Sequence, residues 1–203
     1  MVYSNLYASP KSLVLHNIQK ELVRKAIHLM IAFVPALAAW NFTFTVSLLL
    51  CGILAYTYSE YLRSVGKYIF IISDITMFAS RDRDKGHFVL GPITLAFGAL
   101  MALLLYPHPA AAIAIYALAF GDGLSSLAGK LFGLKKIPFT GGKTIAGSFT
   151  CFAAVLLITF RLTNNFINSL IIAFVATVLE ALPSRDLDNI IIPIGTGLLA
   201  SLL

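Results

Sequence analysis

The stretch that decides the fold is FTGGKTIAGSFTCFAAVLLITF, residues 139–160. Near its start, Gly142, Lys143 and Thr144 match the end of a phosphate-binding P-loop. The complete P-loop pattern needs a glycine five positions before Gly142, where this chain has Ile137, and it needs a buried strand in front. The apolar run that follows is too long and too apolar to cover a soluble sheet. The sequence therefore excludes a soluble P-loop fold and indicates a helix in a membrane.

The composition agrees with a membrane protein. Apolar residues make up 59% of the 203 residues and charged residues 12%, whereas about a quarter of a soluble domain is charged. The mean hydropathy is +0.88. We expect an all-α, polytopic helical bundle that forms a single membrane-embedded domain over residues 1–203. Cys51 and Cys151 lie in apolar runs, so we expect small apolar fillers rather than a disulfide or metal ligands.

Seven apolar runs are candidates for membrane spans, which need about 20 residues each. They are residues 26–40, 42–60, 88–106, 110–128, 144–160, 166–182 and 189–203. Residues 68–79 are too short to cross, so we expect an interfacial or re-entrant segment there. Residues 12–25 have their apolar side chains on one helical face, which predicts an amphipathic lead-in to the first span.

The basic residues predict the orientation, because cytoplasmic loops carry the excess of Lys and Arg. With the N-terminus in the cytoplasm, every Lys and Arg except Arg161 falls on the cytoplasmic side. The C-terminus then lies outside, and in a prokaryote the membrane would be the plasma membrane. The first 25 residues hold no apolar h-region, so we expect no secretory signal. Since topology explains the net charge of +6, we expect membrane lipids and no nucleic acid as partners.

Several polar residues lie at the ends of the apolar runs, where charge is costly and usually functional. They come from different spans, yet the predicted topology brings them to one membrane face, as a site requires. They are Arg24, Lys25, His28, Asp122, Lys143, Glu180, Asp188 and Asn189. Carboxylates suit Mg²⁺, and Lys, Arg and a glycine-rich helix start suit phosphates. The residues alone therefore indicate a membrane phosphotransfer enzyme that uses a nucleoside triphosphate and acts on a lipid.

Plainer interpretations of these residues stay open. Arg24 and Lys25 also fit as basic flanks of the first span, and His28 as an interfacial histidine. Glu180 and Asp188 also fit as loop-edge charges paired with Arg185, and residues 81–87 as a solvated loop. A small transporter is a further alternative, although transporter sites lie near the midplane rather than at one face.

A ridge of small residues, Gly121, Ser125, Gly129 and Gly133, recurs every four positions. Such a ridge lets another helix or a ligand approach the backbone closely. Gly121 therefore leaves room for phosphate beside Asp122, and Gly142 belongs to the turn that opens the next helix.

Four segments, ELVRKAIHL (21–29), GDGLSSLAGKLFG (121–133), GGKTIAGSF (141–149) and LEALPSRDLDNIIIP (179–193), together resemble the family of dolichol kinases, phytol kinases and CTP-dependent diacylglycerol kinases. Their order and spacing match from about residue 20 to residue 195. The resemblance implies a kinase that transfers a phosphoryl group from CTP to the hydroxyl of a polyprenol, dolichol, phytol or diacylglycerol. Larger members carry additional N-terminal spans, so we expect this chain to correspond to the catalytic core.

The resemblance and the residue argument together predict the site. The predicted catalytic residues are Asp122, Lys143, Arg24 and Lys25. The predicted nucleotide-binding residues are Gly121, Gly129, Gly142, Thr144, Gly147, Ser148, His28 and Asn189. The predicted Mg²⁺ ligands are Asp122, Glu180 and Asp188.

Phosphatidate cytidylyltransferases share a similar GD…G…KT-x-x-G core, which makes a CTP transferase the alternative activity. They usually end in a KR-x-x-KD…HGG…DR signature, whereas this chain ends EALPSRDLDNIIIPIG, residues 180–195. The departure favours the kinase. CTP as the donor rests on the resemblance, and the residues leave the lipid alcohol and the oligomeric state open.

Overall fold

The computed structural model describes residues 10–69, 72–80, 87–183 and 187–203, with side chains from Gln19 onward. These residues form helices joined by short connections, and the β-structure among them is one isolated bridge between Lys136 and Thr144. The all-α fold class is therefore confirmed. The loop predicted over residues 81–87 lies outside the described residues except for His87, and so does Arg185.

The helices follow one another along the chain with few interruptions. They are α1 (Pro10–Met30), a 3₁₀ turn (Ile31–Phe33), α2 (Val34–Trp40), α3 (Phe42–Ser64), α4 (Ile72–Ala79), α5 (Gly91–Leu105), α6 (Ala110–Tyr116), a π-helical turn (Ala117–Asp122), α7 (Gly123–Phe132), α8 (Ile145–Thr163), α9 (Phe166–Ala181) and α10 (Asp188–Leu202). Side chains cap several of the helix starts. The Asn41 side chain accepts from the Phe44 amide at 2.9 Å before α3, and that of Asn165 accepts from the Asn168 amide at 3.1 Å before α9.

Apolar helices occupy all seven predicted positions. Within the described residues, four segments are long and apolar enough to cross a membrane: Gln19–Trp40, Phe42–Ser64, Ala110–Phe132 and Ile145–Thr163. Helices α5, α9 and α10 have 15, 16 and 15 residues. At about 1.5 Å per residue each rises only about 22–24 Å, less than the ~30 Å hydrocarbon core. That all seven cross the membrane stays a prediction.

Two predicted segments can be compared with the helices. Helix α1 runs without interruption from Pro10 to Met30, so it joins the predicted lead-in (12–25) to the start of the first predicted span. Within residues 68–79, Ile72–Ala79 form α4, which has eight residues and rises about 12 Å. That length agrees with the prediction that this segment is too short to cross.

The helical segment Ala110–Phe132 is the centre of the bundle, since 72% of the residues in its most apolar stretch are buried. On one side, Leu118 belongs to a buried apolar cluster that also contains Leu100 of α5 and Val34 of α2. On the other side, Ile113 belongs to a second cluster, which contains Val155 of α8 and residues of α9 and α10. The π-helical turn in this segment ends at Asp122, and such turns occur frequently at functional sites.

Glycines permit the closest helix contacts. A Cβ atom on Gly98 of α5 would lie 2.0 Å from the Asn189 carbonyl oxygen of α10. A Cβ atom on Gly147 of α8 would lie 2.7 Å from the Ser125 carbonyl oxygen of α7. One on Gly129 would lie 2.8 Å from Thr144 Oγ1. The small residues of α7 therefore let α8 approach closely. Close approach of another helix was one of the two roles predicted for them, and approach of a ligand was the other.

The close contact between α5 and α10 predicts that one methyl group added at Gly98 lowers the stability of the fold. In Gly98→Ala the new Cβ meets backbone rather than a flexible side chain, so the helices must separate. Overpacking of this kind costs about 1–3 kcal/mol. We expect the melting temperature of the detergent-solubilised protein to fall by several degrees. Gly52→Ala on α3 is the matched control, since nothing lies within 4 Å of its added Cβ. Equal melting temperatures for the two variants would contradict this packing.

Candidate functional site

The buried carboxylate of Asp122 lies at the centre of the candidate site. Only 4% of Asp122 is exposed. Lys25 Nζ of α1 lies 3.0 Å from its Oδ2 atom, and His28 Nε2 lies 3.3 Å from the same oxygen. Lys143 Nζ lies 3.6 Å from its Oδ1 atom. The structure therefore brings together four of the predicted residues, from three separate segments of the chain.

A second buried carboxylate, Glu180 of α9, is linked to the first through Lys143. Its Oε1 atom lies 2.6 Å from Lys143 Nζ and accepts from the Ser125 hydroxyl at 3.0 Å. Its Oε2 atom accepts from the Ser148 hydroxyl at 3.4 Å. Lys143 thus bridges the carboxylates of Asp122 and Glu180, and α7, α8 and α9 meet at this point.

Lys143 keeps its charge in this position. Burial lowers the pKa of Lys143, but the negative charges of Asp122 and Glu180 outweigh that effect and raise the pKa above its ordinary value. The raised pKa stabilises the folded chain fully below the pKa of an unfolded lysine and loses that contribution as the pH rises through the folded value. At neutral pH the site therefore holds an ammonium group between two carboxylates.

The hydrogen bonds of His28 identify its tautomer. Its Nε2 atom lies 3.0 Å from the Leu118 carbonyl oxygen and 3.3 Å from Asp122 Oδ2. Both neighbours are acceptors, so Nε2 carries the proton and donates. His28 therefore bridges the Leu118 carbonyl and the Asp122 carboxylate, both of the π-helical turn.

Glu21 is a buried carboxylate, 2% exposed, that was not among the predicted site residues. Its carboxylate accepts from Arg24 Nη2, from the Ser126 hydroxyl at 2.9 Å and from Lys130 Nζ. Arg24, predicted as catalytic, therefore forms an ion pair with a carboxylate one helical turn before it. The spacing of Glu21 and Arg24, three residues apart in an apolar segment, is a signal that would have pointed to this pair.

A polar cavity of about 470 Å³ opens beside these ion pairs. It contains nine of the predicted site residues: Lys25, Asp122, Gly129, Gly142, Lys143, Thr144, Gly147, Glu180 and Asp188. Ser125, Ser126, Lys130, Thr140, Gly141, Leu182 and Pro183 complete its lining. The cavity combines ammonium groups, hydroxyls and glycines, the groups that suit a phosphate-bearing ligand.

A second cavity, of about 300 Å³, is mostly apolar and lies between α1, α3, α4 and α5. Three predicted residues, Arg24, His28 and Asn189, line this cavity and not the polar one. Lys25, Asp122 and Asp188 line both cavities. The candidate site is therefore two chambers that meet at Asp122.

Two backbone amides at the start of α8 already donate hydrogen bonds within the protein. The Thr144 hydroxyl accepts from the Gly147 amide at 3.1 Å, and the Ile145 amide donates to the Lys135 carbonyl at 3.1 Å. Gly141 and Gly142 have φ values of +67° and +103°, which favour glycine. The turn therefore presents Lys143 to the polar cavity, while Thr144 caps the helix.

Four predicted nucleotide-binding residues, His28, Gly121, Ser148 and Asn189, do not line the polar cavity. A Cβ atom on Gly121 would lie 3.1 Å from Val155 Cγ2 and 3.3 Å from Cys151 Sγ, so Gly121 faces α8. The Asn189 amide donates to Thr94 Oγ1 at 2.9 Å and to the Gly91 carbonyl at 3.3 Å, so it ties α10 to α5. Their proposed contact with a nucleotide stays a prediction.

Among the described residues, no group of three or more His, Cys, Asp and Glu side chains is placed to hold a metal ion. Asp122 and Glu180 share the Lys143 ammonium instead, and Asp188 lies at the junction of the two cavities. All three offer hard carboxylate oxygens at one cavity, which fits Mg²⁺ chemically if phosphate oxygens complete the shell. The predicted Mg²⁺ site is untested.

Comparison with known proteins points to one class of enzyme. The chain is 23% identical over 206 residues to a probable chloroplastic phytol kinase of Triticum aestivum, covering 92% of this chain and 68% of that protein. It is 27% identical over 141 residues to phytol kinase 1 of Arabidopsis thaliana, covering 61% and 46%. It is 28% identical over 141 residues to farnesol kinase of the same plant, again covering 61% and 46%.

No family model matches the chain, and no solved structure matches it significantly. The matching relatives are lipid-alcohol kinases, which confirms the resemblance drawn from the four sequence segments.

The ion pairs around Asp122 predict unequal effects of removing their members. In Asp122→Asn, Lys25, His28 and Lys143 all lose a negative partner, whereas Lys25→Met leaves Asp122 with two partners. Breaking a buried pair from one side costs about 3–5 kcal/mol. We expect Asp122→Asn to lower the melting temperature more than Lys25→Met, and Asp74→Asn on the exposed face of α4 to change it little. A larger loss in Lys25→Met would contradict the shared role of Asp122.

Proposed function

We propose that the chain transfers the γ-phosphoryl group of CTP to the hydroxyl of a lipid alcohol. One observation carries this proposal: a polar cavity with ammonium groups and an apolar cavity meet at Asp122, Lys25 and Asp188. A phosphoryl transfer between a water-soluble donor and a lipid acceptor needs such a junction. The kinase relatives support the reaction class, and CTP as the donor rests on the resemblance of the sequence segments.

The polar cavity suits the triphosphate. Lys143, Lys25 and Lys130 line it and supply positive charge, and the Gly141–Gly142 turn lets phosphate approach the backbone. Phosphate oxygens would replace Asp122 and Glu180 as partners of the Lys143 ammonium, so the cation is already in place before the donor binds. Preorganised donors of this kind stabilise the charge that develops in the transition state.

Asp122 lies where the acceptor hydroxyl has to arrive. The alcohol oxygen forms a bond to the γ-phosphorus while the bond to the β–γ bridging oxygen breaks, and the nucleoside diphosphate leaves. The transition state of such a transfer is loose, so positioning and charge contribute more than proton removal. Asp122, held by Lys25 and His28, has one of two roles: it holds Mg²⁺, or it orients the hydroxyl and accepts its proton.

Glu180 and Asp188 would hold Mg²⁺ in this proposal, together with Asp122 where Asp122 has the metal-binding role. When bound, the ion neutralises the phosphate oxygens that these lysines do not reach. The orientation of the chain in the membrane is part of the same proposal. The distribution of Lys and Arg favours a cytoplasmic N-terminus and a site open to the cytoplasm. CTP would then reach the polar cavity from the cytoplasm, and the alcohol would reach the apolar one from the membrane.

Labelled CTP tests the reaction. The purified protein in detergent receives Mg²⁺, farnesol or phytol, and CTP labelled at either the α- or the γ-phosphorus. We expect the γ-label, and not the α-label, in the lipid product. Transfer of the α-label would replace the kinase by a cytidylyltransferase, and transfer of neither label to any lipid alcohol would refute the proposal.

The same assay tests Lys143. Removing one preorganised donor of this kind costs about 10²–10³-fold in rate. We expect Lys143→Ala to lose transfer by that factor and to keep a folded elution profile. Lys136→Ala is the control, because Lys136 is an exposed lysine of the same loop and does not line the polar cavity. Equal rates for the two variants would remove Lys143 from the mechanism.

A further inference from the structure

Most of the lining surface of the apolar cavity is apolar, and Arg24, His28 and Asn189 are among its polar members. Asp122, Lys25 and Asp188 form the part of the lining that it shares with the polar cavity. Away from this junction, its walls include Ile27 of α1 and Leu95 of α5. A ligand that fits this distribution has a single polar head and an apolar body, since burying apolar surface is favourable and burying unpaired polar groups is costly.

One face of α4 forms the outer wall of this cavity. Ile72, Ile75, Thr76 and Ala79 all line it, and their spacing of three and four residues places them on the same helical face. The helix contacts α1 and α3. The short helix that does not cross the membrane therefore covers a chamber that leads to Asp122.

The wall hydroxyls already donate their protons to protein acceptors. Thr76 Oγ1 donates to the Tyr56 hydroxyl at 3.4 Å, and the Tyr56 hydroxyl donates to the Val89 carbonyl at 3.4 Å. The Ser80 hydroxyl donates to the Met77 carbonyl at 2.9 Å. These hydroxyl groups would have to break existing hydrogen bonds to satisfy ester carbonyls in the chamber. The wall thus suits plain hydrocarbon better than the ester groups of a diacylglycerol.

We propose that this apolar cavity binds the hydrocarbon tail of a single-chain lipid alcohol, with α4 as its outer wall and the hydroxyl at Asp122. The identity of the ligand as an alcohol rests on the proposed function, whereas the place of the tail rests on the cavity itself. Ala79 is a small residue of the α4 face that lines the cavity, so a larger side chain there takes up part of the space available to the tail.

The kinetics of one matched pair of variants test whether the α4 face lines the binding site of the tail. We expect Ala79→Trp to raise KM for farnesol at least tenfold while KM for CTP changes less than twofold. Met77→Trp is the control, because Met77 lies on the same helix, is 48% exposed and does not line the cavity. We also expect wild-type protein to use farnesol with a higher kcat/KM than dioleoylglycerol. An unchanged KM for farnesol in Ala79→Trp, an equal rise in Met77→Trp or an equal kcat/KM for dioleoylglycerol would overturn the proposal.

Photo-crosslinking locates the tail without relying on catalysis or on a variant that folds. Wild-type protein in detergent, without nucleotide, is irradiated with a farnesol analogue that carries a diazirine near the end of its chain. We expect labelled peptides from α4 and α5, and less labelling when unmodified farnesol competes. Labelling there without phosphoryl transfer would support the tail site and refute the proposed function. Transfer to farnesol with labelling confined to other helices would overturn the tail site and leave the proposed function standing.

Discussion

Asp122 carries a carboxylate in the interior of an apolar helical bundle, and the arrangement around it follows from the need to compensate that charge. A buried charge is tolerated when partners of opposite sign and hydrogen bonds surround it. Lys25, His28 and Lys143 meet that need from α1 and from the turn before α8. The Asp122 carboxylate therefore fixes how the first helix and the 134–144 loop dock against the central helix.

Glu180 and Glu21 extend the same constraint to the rest of the bundle. Glu180 binds Lys143 and Ser125, which joins α9 to α7 and to the start of α8. Glu21 binds Ser126 on the next position of α7, which holds α1 along the same helix. The ion pairs surround the polar cavity, so the interactions that hold these helices together also leave charged groups facing a ligand. A phosphate group of a ligand can therefore compete with these carboxylates for the same ammonium groups.

The sequence was sufficient for the outline of the fold, and nine of the site residues that it predicted line the polar cavity. Length and hydropathy predicted the apolar helices and the short α4, because both depend on local composition. Costly polar residues at one membrane face predicted that Asp122, Lys143 and Glu180 would meet. The pairing of Arg24 with Glu21 and the contact of Gly121 with Val155 were not predicted, because they depend on how each helix is rotated about its axis. The division of the site into two cavities depends on packing between helices distant in sequence, and local patterns do not contain it.

The central claim is that the two cavities form one reaction site with Asp122 at their junction. The most direct test is an experimental structure of the protein with a non-hydrolysable CTP analogue and farnesol bound together. The account predicts the γ-phosphate beside Lys143, the farnesol hydroxyl within hydrogen-bonding distance of Asp122, and the tail under α4. A triphosphate outside the polar cavity, or a farnesol hydroxyl remote from Asp122, would contradict it.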